Sequence, residues 1–146
     1  VVGYGDARPR GEGVGWRAQW LEPAEGVRAL GLGTFGMAYT VETAAGSVWP
    51  IMVPPRVRKV QPLNSRPVSM EVAAALVAEV GRHAAKVVDI QAEWREAAVT
   101  DGQRRYLAKM GVKEEPADRG HAAALITKAK AVRHVRRFGF GPGWAP

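Results

Sequence analysis

The sequence predicts an α+β fold: a small antiparallel β-sheet, then a long helix, then a carboxy-terminal helical hairpin. Three observations predict it. Residues 16–63 hold short runs of aromatic and β-branched residues cut by glycine and proline. Residues 69–98 place apolar side chains every three to four positions, the helical period. Residues 99–137 contain two helix-capping signatures either side of a polar loop. Residues 1–15 form a glycine- and arginine-bearing tail without the apolar stretch of a signal peptide, and residues 138–146 an aromatic and glycine tail.

Within the β region, 16–21 (WRAQWL), 27–43, 47–53 (SVWPIMV) and 57–63 (VRKVQPL) are the strand candidates. Thr43-Ala44-Ala45-Gly46 reads as a hairpin turn, with Gly46 supplying a positive φ. Pro50 lacks the N–H a central strand needs, so the third run is expected at an edge or at a bulge. Pro54, Pro55, Pro62 and Pro67 punctuate the way out. The expected sheet has three or four strands.

Ser69 is a favourable N-cap for the long helix, whose apolar stripe reads Val72, Leu76, Val80, Ala84, Val87, Ile90 and Trp94. Gly81 is its soft point, and one helix or two are both compatible with the pattern. Thr100 then reads as an N-cap with Gln103 as its capping-box partner. Tyr106, Leu107 and Met110 share a face, and Gly111 followed by Val112 fits a Schellman end. Asp118 caps the last helix, whose expected buried stripe is Ala122, Leu125, Ile126 and Ala129.

The stretch from Thr100-x-x-Gln103-x-x-Tyr106-Leu107-x-x-Met110-Gly111 to Arg119-Gly120-His121-Ala122-Ala123-Ala124-Leu125-Ile126 resembles a small helical-hairpin module. Its pattern, T-x-x-Q-x-x-Y-L-x-x-L-G and then T-K-x-E-A-S-x-L-I, is appended to bacterial and phage helicases, exonucleases and small actinobacterial proteins. Asp118, His121 and Ala123 stand where that pattern has Thr, Glu and Ser. The resemblance covers residues 100–126. It implies a packed, capped hairpin, and by its company an association with nucleic acid in a bacterium or phage.

With 146 residues the chain is long enough for one ordinary domain. It has no cysteine, which excludes disulfides, thiolate metal sites and a cysteine nucleophile. No run approaches the length of a membrane span, so no membrane partner is expected, and the compartment expected is the cytoplasm, or a virion if the protein is phage-derived. Lys+Arg 21 against Asp+Glu 14 gives a net charge of +7. Most of the excess lies late: 99–146 carries ten basic and four acidic residues, and no acid follows Asp118.

Gly31-x-Gly33-x-x-Gly36 resembles, in local order, the glycine-rich loop of protein kinases. That family needs a lysine on the following strand to meet nucleotide phosphates, and Met52 stands there. A glycine-bearing β-hairpin without nucleotide binding is the expectation. His83, His121 and His134 lack the i, i+4 spacing of a helical zinc site. Asp89, Glu93 and Glu96 read as a solvated helix face, and Ser47, Ser65 and Ser69 lie outside any nucleophile elbow. No catalytic residue, metal or cofactor is expected.

Binding has better support. Lys128, Lys130, Arg133, Arg136 and Arg137 run along the last helix, and Arg104 and Arg105 occupy the preceding one. Clustered cations suffice to contact phosphates. Trp144, with Phe138 and Phe140, adds aromatic rings able to stack on unpaired bases. The expected function is a non-enzymatic, nucleic-acid-associated accessory protein contacting a polyanion through its basic last third. The alternative is a structural or assembly protein, self-associating or docking into a larger complex by the aromatic tail and basic helix. A small enzyme is the third class. The tail is expected to lie against a partner or to fold back on the sheet.

Overall fold

Trp20 is buried just ahead of the first strand, and from it the chain runs as an antiparallel meander. The computed structural model describes residues 20–56, 58–82 and 92–146. Strands β1 (Leu21–Ala24), β2 (Val27–Gly31), β3 (Met37–Glu42), β4 (Val48–Val53) and β5 (Gln61–Pro62) pair in chain order. Helices α1 (Met70–Gly81), α2 (Asp101–Lys109) and α3 (Arg119–Phe138) follow, so the class is α+β.

The strands differ from expectation in instructive ways. The 27–43 run is two strands, because Gly33–Phe35 forms a single 3-10 turn and Leu32 N–H donates to Gly36 O at 2.8 Å across it. Gly36 has φ +96°, and a Cβ there would sit 2.3 Å from Val53 O, so glycine alone fits. The first strand starts at Leu21 and continues through Pro23. An edge position with a register shift between Leu21 and Ala24 tolerates that proline. Residues 16–19 of the expected first strand, and the tail at 1–15, lie outside the described residues.

β4 is neither an edge strand nor bulged. Its register against β3 runs unbroken from Met37↔Val53 to Glu42↔Val48. Pro50 is tolerated because its carbonyl accepts from Leu63 N–H at 2.8 Å, so its missing N–H also faces the β5 side. There the ladder is only two residues long. The expected turn is present, with Thr43 N–H bonded to Ser47 O and Gly46 at φ +88°.

Both faces of the sheet are covered. Leu30, Ala38 and Met52 pack on one side with Trp20, Leu32, Val77 and Ala78 of α1's layer. The alternate residues Ala29, Met37, Tyr39, Val41, Ile51 and Val53 pack on the other side with Ala131 and Phe140. The period-2 alternation of each strand thus divides its residues between two cores.

Ser69 Oγ accepts from Val72 N–H at 3.2 Å, the expected cap. The buried face of α1 is Ala73, Val77 and Ala78, whereas Val72 is 47% exposed. Small side chains let the helix approach the sheet closely, so the real stripe is one position away from the Val72, Leu76, Val80 reading.

The expected helix over 69–98 does not reach its far end. Ala92 and Ala97 are extended and Glu93–Glu96 is a 3-10 turn. The carbonyls of Ala97 and Ala98 are engaged elsewhere: they accept from Arg119 N–H at 2.8 Å and Arg119 Nε at 3.2 Å. His83, Ala84, Val87, Asp89 and Ile90 lie outside the described residues.

The hairpin of α2 and α3 carries the caps its sequence announces. Thr100 and Gln103 form both bonds of the capping box at 3.0 Å. Val112 N–H donates to Leu107 O and Gly111 N–H to Ala108 O, the two bonds of a Schellman end, with Gly111 at φ +73°. Asp118 Oδ1 accepts from His121 N–H at 2.8 Å. Gln103 Nε2 also donates to Arg119 O, tying the start of α2 to the start of α3. Leu107 is 4% exposed, while Tyr106, Met110, Leu125, Ile126 and Ala129 are half-buried, so the hairpin's core is smaller than expected.

Candidate functional site

A cleft of about 700 Å³ opens between α3 and the turns at the ends of β2 and β4. Three chain segments build it. The first is the corner after β4, Pro54-Pro55-Arg56, where Arg56 stands at φ +63°. It is the one non-glycine with positive φ among the described residues, a conformation costing about 1 kcal/mol. Gly36 braces this corner, since a Cβ there would meet Pro54 Cα at 2.9 Å. Arg56 and Arg58 line the cleft from this wall.

The second segment is α3. Helical residues advance about 100° each, so Lys130, Arg133, His134 and Arg137 form one stripe, and all four line the cleft. The helix lies close to the sheet at its end: a Cβ on Gly31 would meet Thr127 Oγ1 at 2.8 Å. The third segment adds rings. Arg95 stacks 4.6 Å over the Trp94 ring, and Lys130 Nζ sits 5.4 Å from the centre of the Tyr106 ring. Trp94, Tyr106 and Phe138 all contribute to the lining.

Among the described residues the lining holds no carboxylate, and Arg56, Arg58, Lys130, Arg133 and Arg137 make no ion pair. Facing walls of one sign, set around a low-dielectric floor that includes Met37 and Val53, concentrate positive potential.

Beneath this cleft lies a buried polar contact. Tyr39 is fully buried on β3, and its Oη is 2.6 Å from His134 Nδ1. Burial pushes the Tyr39 hydroxyl far above its ordinary range, so it keeps its proton. Burial first, then the charges of Arg137, Lys130 and Arg133, push His134 below its ordinary value, so the ring is neutral near pH 7. The Tyr39 hydroxyl therefore donates to Nδ1, which places the imidazole proton on Nε2.

The sequence-derived cations divide. Lys130, Arg133 and Arg137 meet at the cleft, whereas Lys128 and Arg136 are exposed on other faces of α3. Arg104 pairs with Glu115, and Arg105 is exposed on α2 away from the lining. Trp144 packs edge-on to Phe140 with ring centres 5.2 Å apart, against the core and outside the cleft. Arg56 and Arg58 join the cleft cations from outside the expected basic last third, and their signal in the sequence is the run Arg56-Val57-Arg58-Lys59 after two prolines. Tyr106, expected on the packed face of the hairpin, is half-buried and also lines the cleft.

Among the described residues no helix is long and apolar enough to cross a membrane, and no three His, Asp or Glu side chains are grouped to hold a metal ion. His121 serves the fold, accepting from Ala117 N–H through Nδ1 and meeting Glu114 at 2.8 Å through Nε2. The carboxylates Glu93 and Glu96 lie outside the cleft lining. No protein-family model, no curated protein and no solved structure matches the chain.

Proposed function

We propose that this protein is a non-enzymatic nucleic-acid-binding protein that holds a polyanion in the cationic cleft along α3. One observation carries the reading. Five cations from two segments distant in sequence, 54–58 and 130–137, converge on one cleft whose lining, among the described residues, has no carboxylate. Clustered lysine and arginine without countercharge is the pattern by which proteins displace counterions from phosphates. Of the two features behind the assembly reading, the aromatic tail packs within the chain and the basic helix is common to both readings.

The test compares two double variants of equal charge change on the same helix. Arg133→Glu with Arg137→Glu reverses the cleft, and Lys128→Glu with Arg136→Glu reverses other faces. Binding to labelled single- and double-stranded oligonucleotides is measured by anisotropy at two salt concentrations, with far-UV circular dichroism checking the fold. The cleft pair is expected to weaken binding at least ~10-fold and to flatten the salt dependence. The other pair should stay within ~3-fold of the parent. Equal losses from both pairs would move the contact away from the cleft, and no binding to any oligonucleotide at low salt would remove the reading.

A further inference from the structure

We infer that the cleft accepts a single strand rather than a duplex, with an unstacked base lying against the Trp94 and Tyr106 rings while its flanking phosphates meet Arg133, Arg137 and Arg56. The inference rests on the nucleic-acid reading above and narrows it.

The shape of the site argues for it. Proteins that read duplex DNA through the major groove present a convex element, a helix or a β-ribbon, that enters the groove. Here the cations line a concavity, with α3 contributing Lys130, Arg133 and Arg137 and the Pro54-Pro55-Arg56 corner contributing Arg56. A volume of about 700 Å³ is that of an ordinary ligand site. It admits a short piece of one chain, and a duplex cannot enter it.

The chemistry of the lining argues the same way. A site that only neutralises phosphates needs no rings. This one sets Trp94, Tyr106 and Phe138 among its cations, the pairing of stacking platform and charged track by which single strands are held. Both ring contacts already involve a cation, with Arg95 over Trp94 and Lys130 near Tyr106. An incoming base takes up the same ring face, and its phosphate offers the displaced cation a better partner. Stacking of this kind tolerates any base, so little sequence preference is expected. Met52, buried in the opposite core, has no part in the site, and the kinase-like order of Gly31 to Gly36 is not what this binding uses.

The experiment measures affinity for a mixed-sequence single-stranded oligonucleotide, for the same sequence as a blunt duplex, and for both with Tyr106→Leu and Trp94→Leu. Leucine keeps apolar bulk at both positions, and circular dichroism and thermal melting verify folding. The parent is expected to bind the single strand at least ~10-fold more tightly than the duplex at one salt concentration. Each ring variant should lose ~5- to 10-fold for the single strand, change little for the duplex and keep the salt slope. Duplex binding as tight as or tighter than single-strand binding would overturn the inference and leave the nucleic-acid reading standing. Ring variants with unaltered single-strand affinity would also overturn it. Absence of binding to either form would remove the underlying reading instead.

Discussion

His134 and Tyr39 couple the fold to the cleft through one hydrogen bond. Because the folded state holds His134 below its ordinary value of about 6.5, the unfolded chain takes up its proton first as the pH falls. This part of the stability is therefore intact above about pH 6.5 and declines below it, towards the depressed value in the folded protein. The charges that bear on the ring are Arg137, Lys130 and Arg133 on its own helix, and Tyr39 on β3 bonds to it; Arg56, Arg58 and Arg95 line the same cleft. Melting temperature followed between pH 7.5 and 5 should fall, and His134→Gln should fall less steeply. A bound phosphate acts in the opposite sense. It favours the imidazolium, so oligonucleotide affinity should rise as the pH drops through the same window, and His134→Gln should lose that rise. Tyr39→Phe leaves the half-buried Nδ1 without its donor and should cost about 1 kcal/mol by denaturant melting.

The hairpin shows how far local rules reach at the scale of an element. Its two N-caps and its Schellman glycine are where the residue types place them, since each is satisfied within a few residues of itself. What those rules leave open is which residues go into the core. Leu107 is buried whereas Leu125 is half-buried, so the larger cavity cost belongs to Leu107. Leu107→Ala should cost about 2–4 kcal/mol and Leu125→Ala about half that, by urea melting. Gly111→Val should destabilise as well, because φ +73° strains a β-branched residue. Gly120 marks a close approach of α3 to the 3-10 turn, with a Cβ falling 2.7 Å from Arg95 Cβ and 3.1 Å from Arg95 O. Gly120→Ala should therefore cost about 1–3 kcal/mol. If it melts like the parent, this contact does not hold the helix start.

For the whole molecule, the decisive feature is a sheet buried on both faces, by mid-chain α1 on one and by α3 with the aromatic tail on the other. Gly139 turns α3 back at φ +68°, and Phe140 N–H bonds to Val135 O at 3.2 Å. Phe140, 4% exposed, then packs 4.9 Å from the Tyr39 ring centre, with Phe138 and Trp144 against it. The glycine-interleaved aromatics thus close the second core, and of the two placements expected for the tail the protein uses the fold-back. Phe140→Ala should cost about 3–5 kcal/mol and lower the melting temperature by roughly 10 °C. The same change also loosens the floor under His134, so calorimetry and the pH profile should move together.

The sequence by itself determined the fold class, the Thr43 to Gly46 turn, the caps at Ser69, Thr100 and Asp118, and the concentration of charge after Asp118. Each depends on residue types a few positions apart or on composition, and no distant partner is needed to decide it. The tertiary structure alone decided the rest. Whether Val72 or Ala73 faces inward depends on how closely α1 can approach the sheet. Whether 27–43 is one strand or two depends on the fit of Gly36 against Val53. Five cations of the cleft come from the corner after β4 and from one face of α3, and periodicity within a single helix cannot show that Arg56 and Arg133 line one cleft while Lys128 stays outside it. A charged side chain acquires its role from what lies across from it, and that is set when the β4 corner and α3 come together over the sheet.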